Sequence, residues 1–317
     1  LTRRLYIILV VAVLLIGGLY GAYKLFFDPY RGTITASIPS KYLYATLTKE
    51  QAGEDLAYLV GKLEERHPAC MDGLPGEVRA QYEKELAMLT EDLTVLRLWQ
   101  AGARILAQLK DAHTAIRYHS NDYQRLPIRL EMTEGRLLCI GQGYEDAEVI
   151  RINGISVEEL YRRFLEQFSY ELESYASYRF SSHICDLEYL EFVGVDVASG
   201  ITFTFSNGNE EWDQSMTSQV PTQDTAVAKL PFVSYQIDEG KSLGIFTLRS
   251  CIADDVYRET VKEFFSKVKE SSISNVVVDL RNNGGGNSQV INEFLRYVDI
   301  DRYSVAGGMA VRYGPIL

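Results

Sequence analysis

The sequence predicts an α/β protein, and three patterns predict it. Apolar residues recur at helical spacing between about 47 and 110, and short strands occupy about 126 to 157 and a hairpin at 201 to 205. Beyond Leu243, apolar strands alternate with helices, which is the pattern of a parallel sheet. In that last region Val276-Val277-Val278-Asp279-Leu280 runs through Arg281-Asn282-Asn283 into Gly284-Gly285-Gly286. An amphipathic helix, roughly Ser288 to Tyr297, is expected to follow, with Val290, Ile291, Phe294, Leu295 and Val298 on one face.

Taken in order, the chain opens on Leu5 to Tyr23, which carries no charge and is rich in Leu, Ile and Val. A helix of that length covers roughly 28 Å, enough to span a bilayer once. Arg3 and Arg4 precede it, a weak bias that keeps the N-terminus cytoplasmic and sends the rest of the chain outward. A cleaved signal peptide is the rival reading. Tyr20 and Tyr23 interrupt the small residues that a cleavage site needs, which favours an uncleaved anchor. Pro29 to Ser40, with Gly, Ser, Thr and two prolines, reads as a stalk.

Thr48 and Gln51 make a capping-box pattern, and Leu56, Leu59, Val60 and Leu63 then form a helical face that stops at Pro68. Further helices are expected from Glu77 to Leu89 and from Val95 to Lys110, completing a three-helix cap. Its charged positions Glu64, Glu65, Glu83, Lys84 and Glu85 read as solvated faces. Strands follow at Ile128–Met132, Arg136–Ile140 and Val149–Ile152, and Asn153-Gly154 supplies a tight turn. A helix is expected from Val157 to about Glu173, then an aromatic cluster of Tyr170, Tyr175, Tyr178 and Phe180. Those rings suit core packing better than an aromatic groove for an extended peptide. A hairpin at Ile201–Phe205 turns at Ser206-Asn207-Gly208-Asn209.

Composition narrows the function. With 317 residues, 46% of them hydrophobic, the chain can bury one large core or two modest ones. A net charge of −11 and no basic run argue against nucleic acid as a partner. Cys70, Cys139, Cys185 and Cys251 never approach C-x-x-C and read as small core residues. His67, His113, His119 and His183 show no zinc spacing, so neither a metal nor another cofactor is expected.

The glycine run carries the chemistry. Glycines tolerate positive φ and let a loop turn its N–H groups toward a developing negative charge, and a helix N-terminus adds to that field. A dinucleotide-binding turn needs a third spaced glycine, but the next after Gly286 is Gly307. A P-loop needs a closing lysine, and none follows Lys269. A turn whose glycines serve geometry alone is the remaining bland alternative.

The segment resembles the core motif of the C-terminal processing protease and tricorn-like serine peptidases: an apolar strand, Asp-Leu-Arg, x-Asn-Gly-Gly-Gly, then a helix. Leu243–Leu248 with the helix from about Asp254 to Lys269 resembles the unit preceding that motif. Asp55 to Pro68 resembles the family's helical N-terminal cap, and Asp111-Ala112-His113-Thr114 its Asp-x-His-Thr element. Ala147 to Val157 resembles the Ile-Asn-Gly hairpin of its PDZ-like segment. The apolar run and the composition after it give an anchor over 1–27 and a stalk over 28–46; the resemblance implies a helical cap over 47–125, a PDZ-like β region over 126–225 and a peptidase core over 226–317. That core would be of the crotonase or Clp-like spiral type, and incomplete.

A serine peptidase needs a nucleophile, a base and amides that hold an oxyanion. The resemblance places the amides at Gly285 or Gly286 and a candidate base at His113, fixed by Asp111. A lysine downstream would be the base in the family's other branch. Asp279 and Arg281 are expected to pair and pin the loop. The family's nucleophilic serine lies well downstream of the glycines, and neither Ser288 nor Ser304 has the expected small-residue turn. The expectation is therefore a membrane-anchored serine peptidase acting on peptides or proteins, inactive as 1–317 alone. A noncatalytic peptide-binding module with the same fold is the alternative.

Overall fold

A computed structural model describes residues 3–27, 40–119, 123–141, 147–220 and 230–304. The stalk expected at Pro29 to Ser40 lies outside the described residues except for Ser40. The chain divides into two compact units, Leu1–Thr222 with Ala310–Leu317, and Gln223–Met309.

In the first unit, α1 (Arg3–Ala22) continues through a π-helical turn to Phe27. Over Leu5–Phe26 it is the one described helix long and apolar enough to cross a membrane, properties that signal sequences share. A two-residue strand β1 (Thr46–Leu47) precedes α2 (Lys49–Arg66). The capping box forms as the sequence indicates: Gln51 N–H donates to the Thr48 hydroxyl at 3.2 Å and Thr48 N–H to Gln51 Oε1 at 3.1 Å. Helices α3 (Gly76–Ala87) and α4 (Val95–Ala107) follow, with β2 (Leu93–Thr94) pairing β1 between them. Ala52, Leu56, Val60 and Leu63 of α2 meet Val78 of α3 and Ala101, Ile105 and Leu106 of α4 in one apolar cluster. Glu85 departs from its solvated reading. Only 2% of it is exposed, and Arg104 grips both carboxylate oxygens at 2.6 and 2.7 Å. A buried carboxylate is tolerated because the guanidinium fork satisfies it.

A second cluster in the same unit is built on an antiparallel sheet. Its strands are β3 (Leu130–Thr133), β4 (Arg136–Cys139), β5 (Glu148–Ile152), β6 (Ile155–Ser156), β7 (Ile201–Ser206) and β8 (Glu211–Met216). The order is β3-β4-β5-β7-β8, with β6 on β5. The turn at Asn153-Gly154 has φ of 46° and 77°, the positive pair that a two-residue hairpin demands. Asn153 also ties the turn down, donating to the carbonyls of Asp196 and Gly200 and accepting from Thr202 N–H at 2.7 Å.

The helix expected from Val157 to about Glu173 ends at Leu165 (α5, Val157–Leu165); a separate helix α6 (Glu173–His183) begins where it was expected to stop, followed by α7 (Leu187–Phe192). The break has tertiary causes. Phe168 folds back to stack on Phe164 at 4.7 Å, and the Ser169 hydroxyl accepts the Asp111 N–H at 2.9 Å. Of the clustered aromatics, Phe180 is buried while Tyr178 is 56% exposed. Cys70, Cys139 and Cys185 are buried within the two clusters, and burial pushes the Cys185 thiol up to about 12.

The second unit holds β9 (Val233–Asp238), β10 (Leu243–Leu248), α8 (Asp255–Glu270), β11 (Asn275–Asp279) and α9 (Gln289–Leu295). Its sheet runs β11-β10-β9 and is mixed rather than all parallel: β10 and β11 are parallel, joined across α8, while β9 runs antiparallel to β10. One face is covered. Phe246, Leu248 and Val233 pack on Tyr257, Val261 and Phe264 of α8 and Val290 of α9. Gly244 leaves room for this contact, since a Cβ there would stand 3.0 Å from the Phe264 ring. Val276, Val277 and Val278 of β11 are 40 to 47% exposed.

Candidate functional site

The glycine loop is shaped by one asparagine. After β11 the chain turns at Asn282, in the left-handed region with φ of 62°, and Asn283 N–H closes the turn on the Leu280 carbonyl at 3.0 Å. Asn283 Nδ2 then donates to the Leu248 carbonyl at 2.8 Å, while its Oδ1 accepts Gly285 N–H at 2.7 Å and the Cys251 thiol at 3.5 Å. The Cys251 backbone completes the clamp, donating to the Gly285 carbonyl at 2.9 Å and accepting Asn287 N–H at 2.7 Å. Backbone groups that a strand-to-helix turn would orphan are thus paired by a side chain and a neighbouring strand end.

This arrangement separates the two amides that the sequence nominates. Gly285 N–H is engaged by Asn283, whereas the amides of Gly284 and Gly286 have no acceptor among the described residues. Gly286 pairs with Cys251 as a parallel bridge, in which Gly285 O and Asn287 N face Cys251 and Gly286 N–H points the other way. Only glycine fits there: φ is +135°, and an added Cβ would lie 2.5 Å from the Cys251 carbonyl oxygen. The helix that follows, α9, is shorter than expected, and its first turn is fixed by Asn287, whose Oδ1 accepts Gln289 N–H at 2.9 Å.

Asp279 and Arg281 pair with each other, Nε to Oδ1 at 2.9 Å and Nη2 to Oδ2 at 2.7 Å. The guanidinium holds the Asp279 carboxyl at about 2, below the usual range.

His113, in the first unit, lies six residues past the end of α4 rather than directly on it, beyond Lys110 in the left-handed region with φ of 52°. Its side chain is 93% exposed, and its Nδ1 stands 3.6 Å from Asp111 Oδ1. Asp111 is the organised member. Its Oδ1 accepts His113 N–H at 3.0 Å, and its Oδ2 accepts the Thr114 hydroxyl at 2.5 Å and His67 Nε2–H at 3.1 Å. Burial raises the Asp111 carboxyl, but these donors outweigh it and bring the group down to about 2. His67 is fixed in turn. Its Nδ1 accepts Ala69 N–H at 3.1 Å, which leaves the proton on Nε2. Sequence reading gives His67 only as the end of α2, because forty-four residues separate it from Asp111 and no spacing rule joins them. Asn283 is likewise missed as the clamp, although an asparagine two residues before a glycine bend is a turn signal.

One potential metal-ligating group occurs among the described residues. The ligand atoms of Asp111, His113 and Glu171 all lie within 4.8 Å of one another.

Residues 242–310, which enclose β10, α8, β11, the glycine loop and α9, match the model of peptidase family S41. In this stretch the chain is similar to S41 peptidases. The resemblance read from Leu243 through the glycines is borne out there. No curated protein matches the chain. Among solved structures, the photosystem II D1 C-terminal processing protease is similar at 11% identity, over 77% of this chain and 64% of its own, with a TM-score of 0.32. The chain therefore spans less than two thirds of that protease's length.

Two outcomes follow from this geometry. Gly286→Ala should loosen the loop by about 2 kcal/mol, because the new methyl meets a backbone carbonyl at a strained φ, whereas Gly284→Ala, facing open space, should cost under about 1 kcal/mol. Hydrogen exchange of the β10 and β11 amides measures both, and equal effects would contradict the clamp. Asp111, with its folded pKa depressed, contributes stability above the unfolded value of 3.8 that is lost as pH falls through about 2. Asp111→Asn should therefore cost about 1 to 2 kcal/mol at pH 6, and the difference from wild type should shrink as pH falls from about 4 and vanish only below about pH 2. Urea titrations followed by tryptophan fluorescence read this unit, which contains both Trp99 and Trp212.

Proposed function

We propose that the protein is a membrane-anchored serine-type peptidase whose catalytic part lies outside the cytoplasm and which cleaves peptides or proteins through an acyl-enzyme. The observation that carries this reading is the S41 match over a loop whose Gly286 amide has no acceptor within the described fold. An N–H pre-aimed by the surrounding hydrogen bonds stabilises an oxyanion without reorganisation when the tetrahedral intermediate forms. Gly286 is the assigned donor, with Gly284 beside it; Gly285 instead holds the loop to Asn283.

His113 is assigned as general base. Asp111, ionised and held by Thr114 and His67, is placed to receive His113 Nδ1–H and so leave Nε2 free to take a proton from the attacking hydroxyl. The present 3.6 Å shortens in this reading when substrate orders the exposed ring. Asp279 and Arg281, paired bidentately, steady the strand end before the loop. The helical cap spans 47–125, a PDZ-like β region 126–225 and a crotonase-type core begins at 226. α1 serves as the anchor, its apolar side chains exposed along their length and its flanking Arg3 and Arg4 facing the cytoplasm.

Hydrolysis of quenched-fluorescence peptides by the full-length protein in detergent tests the assignment. His113→Ala should lower kcat by about 10²-fold or more and leave KM nearly unchanged. Near-normal turnover in that variant would make His113 structural and leave a lysine as the base. Peptide binding with no hydrolysis by wild type would favour a noncatalytic binding module.

A further inference from the structure

The first unit places three metal-ligating side chains together from two loops distant in sequence. Asp111 and His113 come from the link between α4 and β3, and Glu171 from the link between α5 and α6. Their juxtaposition is built. Ser169, two residues before Glu171 and 6% exposed, accepts the Asp111 N–H at 2.9 Å and so fastens one loop to the other. Trp99 Nε1 donates to the Ile116 carbonyl at 3.2 Å and anchors the His113 link from its far side.

We propose that Asp111, His113 and Glu171 form a binding site for zinc or a similar divalent transition ion. One imidazole with two carboxylates is a borderline donor set that suits zinc, whereas calcium and magnesium prefer oxygen alone. Zinc bonds to nitrogen and oxygen are about 2.0 to 2.2 Å, so ligand atoms around one ion stand roughly 3.3 to 4.3 Å apart. The present limit of 4.8 Å closes to that range by side-chain rotation alone, since His113 and Glu171 are both exposed. Asp111 needs no reorganisation. Its carboxylate is already fixed by His67, Thr114 and the His113 amide, the outer hydrogen bonding that ligating carboxylates require. With three protein ligands the ion keeps one or more positions for water.

The site takes the imidazole assigned above as general base. Bound zinc would hold both the imidazole and the Asp111 carboxylate that must orient it, so the ion would act as a reversible inhibitor; this consequence rests on the peptidase reading, while the binding itself does not.

Titration of the untagged full-length protein with zinc chloride in detergent, read by calorimetry, tests the binding. One ion should bind in the micromolar range, and His113→Ala and Glu171→Gln should each weaken it by about 10-fold or more, while His183→Ala should not. Cobalt in place of zinc should give visible absorption bands that both first variants abolish. Absence of binding, or binding indifferent to His113 and Glu171, would overturn the site. Binding that follows these variants without inhibiting hydrolysis would keep the site and refute His113 as base.

Discussion

A half-buried carboxylate that must stay ionised organises the first unit around itself. Asp111 draws on His67 at the end of α2 and on Thr114 and the His113 amide in its own link, while its backbone N–H reaches Ser169 between α5 and α6. Removing a carboxylate from water is costly unless donors replace the water, and here they do so twice on one oxygen and once on the other. The consequence is positional. Segments separated by more than forty residues converge on one side chain, and His113 and Glu171 are brought together although neither packs into a core.

The second unit solves a related problem with a neutral side chain. A strand that stops abruptly and a helix that begins seven residues past the left-handed Asn282 leave several amides and carbonyls without regular partners. Asn283 spans the gap as donor and acceptor, and Cys251 lends its backbone. Among the described residues the amides of Gly284 and Gly286 remain without an acceptor, and Gly286 is held in place because Gly285 and Asn287 on either side of it are bonded to Cys251.

Much of this was legible in the sequence. The capping box at Thr48, the Asn153-Gly154 turn, β10, α8 and the strand into the glycines all follow from local periodicity and turn chemistry, and their places agree. What escaped depends on partners far along the chain. Glu85 reads as exposed until Arg104 is found beside it, nineteen residues on. The helix from Val157 ends early because Phe168 and Ser169 have better partners than another turn of helix offers. His67, Ser169 and Glu171 carry no local signature at all, since their meaning lies in the Asp111 contact and its neighbourhood. Which glycine amide is open was likewise invisible, because it depends on where the Asn283 side chain points.

The claim that Asp111 is gripped from two sides turns on the state of His67. With Ala69 N–H directed at Nδ1, the ring must carry its proton on Nε2 to donate toward Asp111 and Thr114. Nitrogen-15 correlation spectra of the imidazoles in the full-length protein read this directly. The account predicts that the His67 ring carries its proton on Nε2 and accepts at Nδ1, in a signal that shifts on Asp111→Asn. A proton on Nδ1, or a signal indifferent to Asp111, would contradict it.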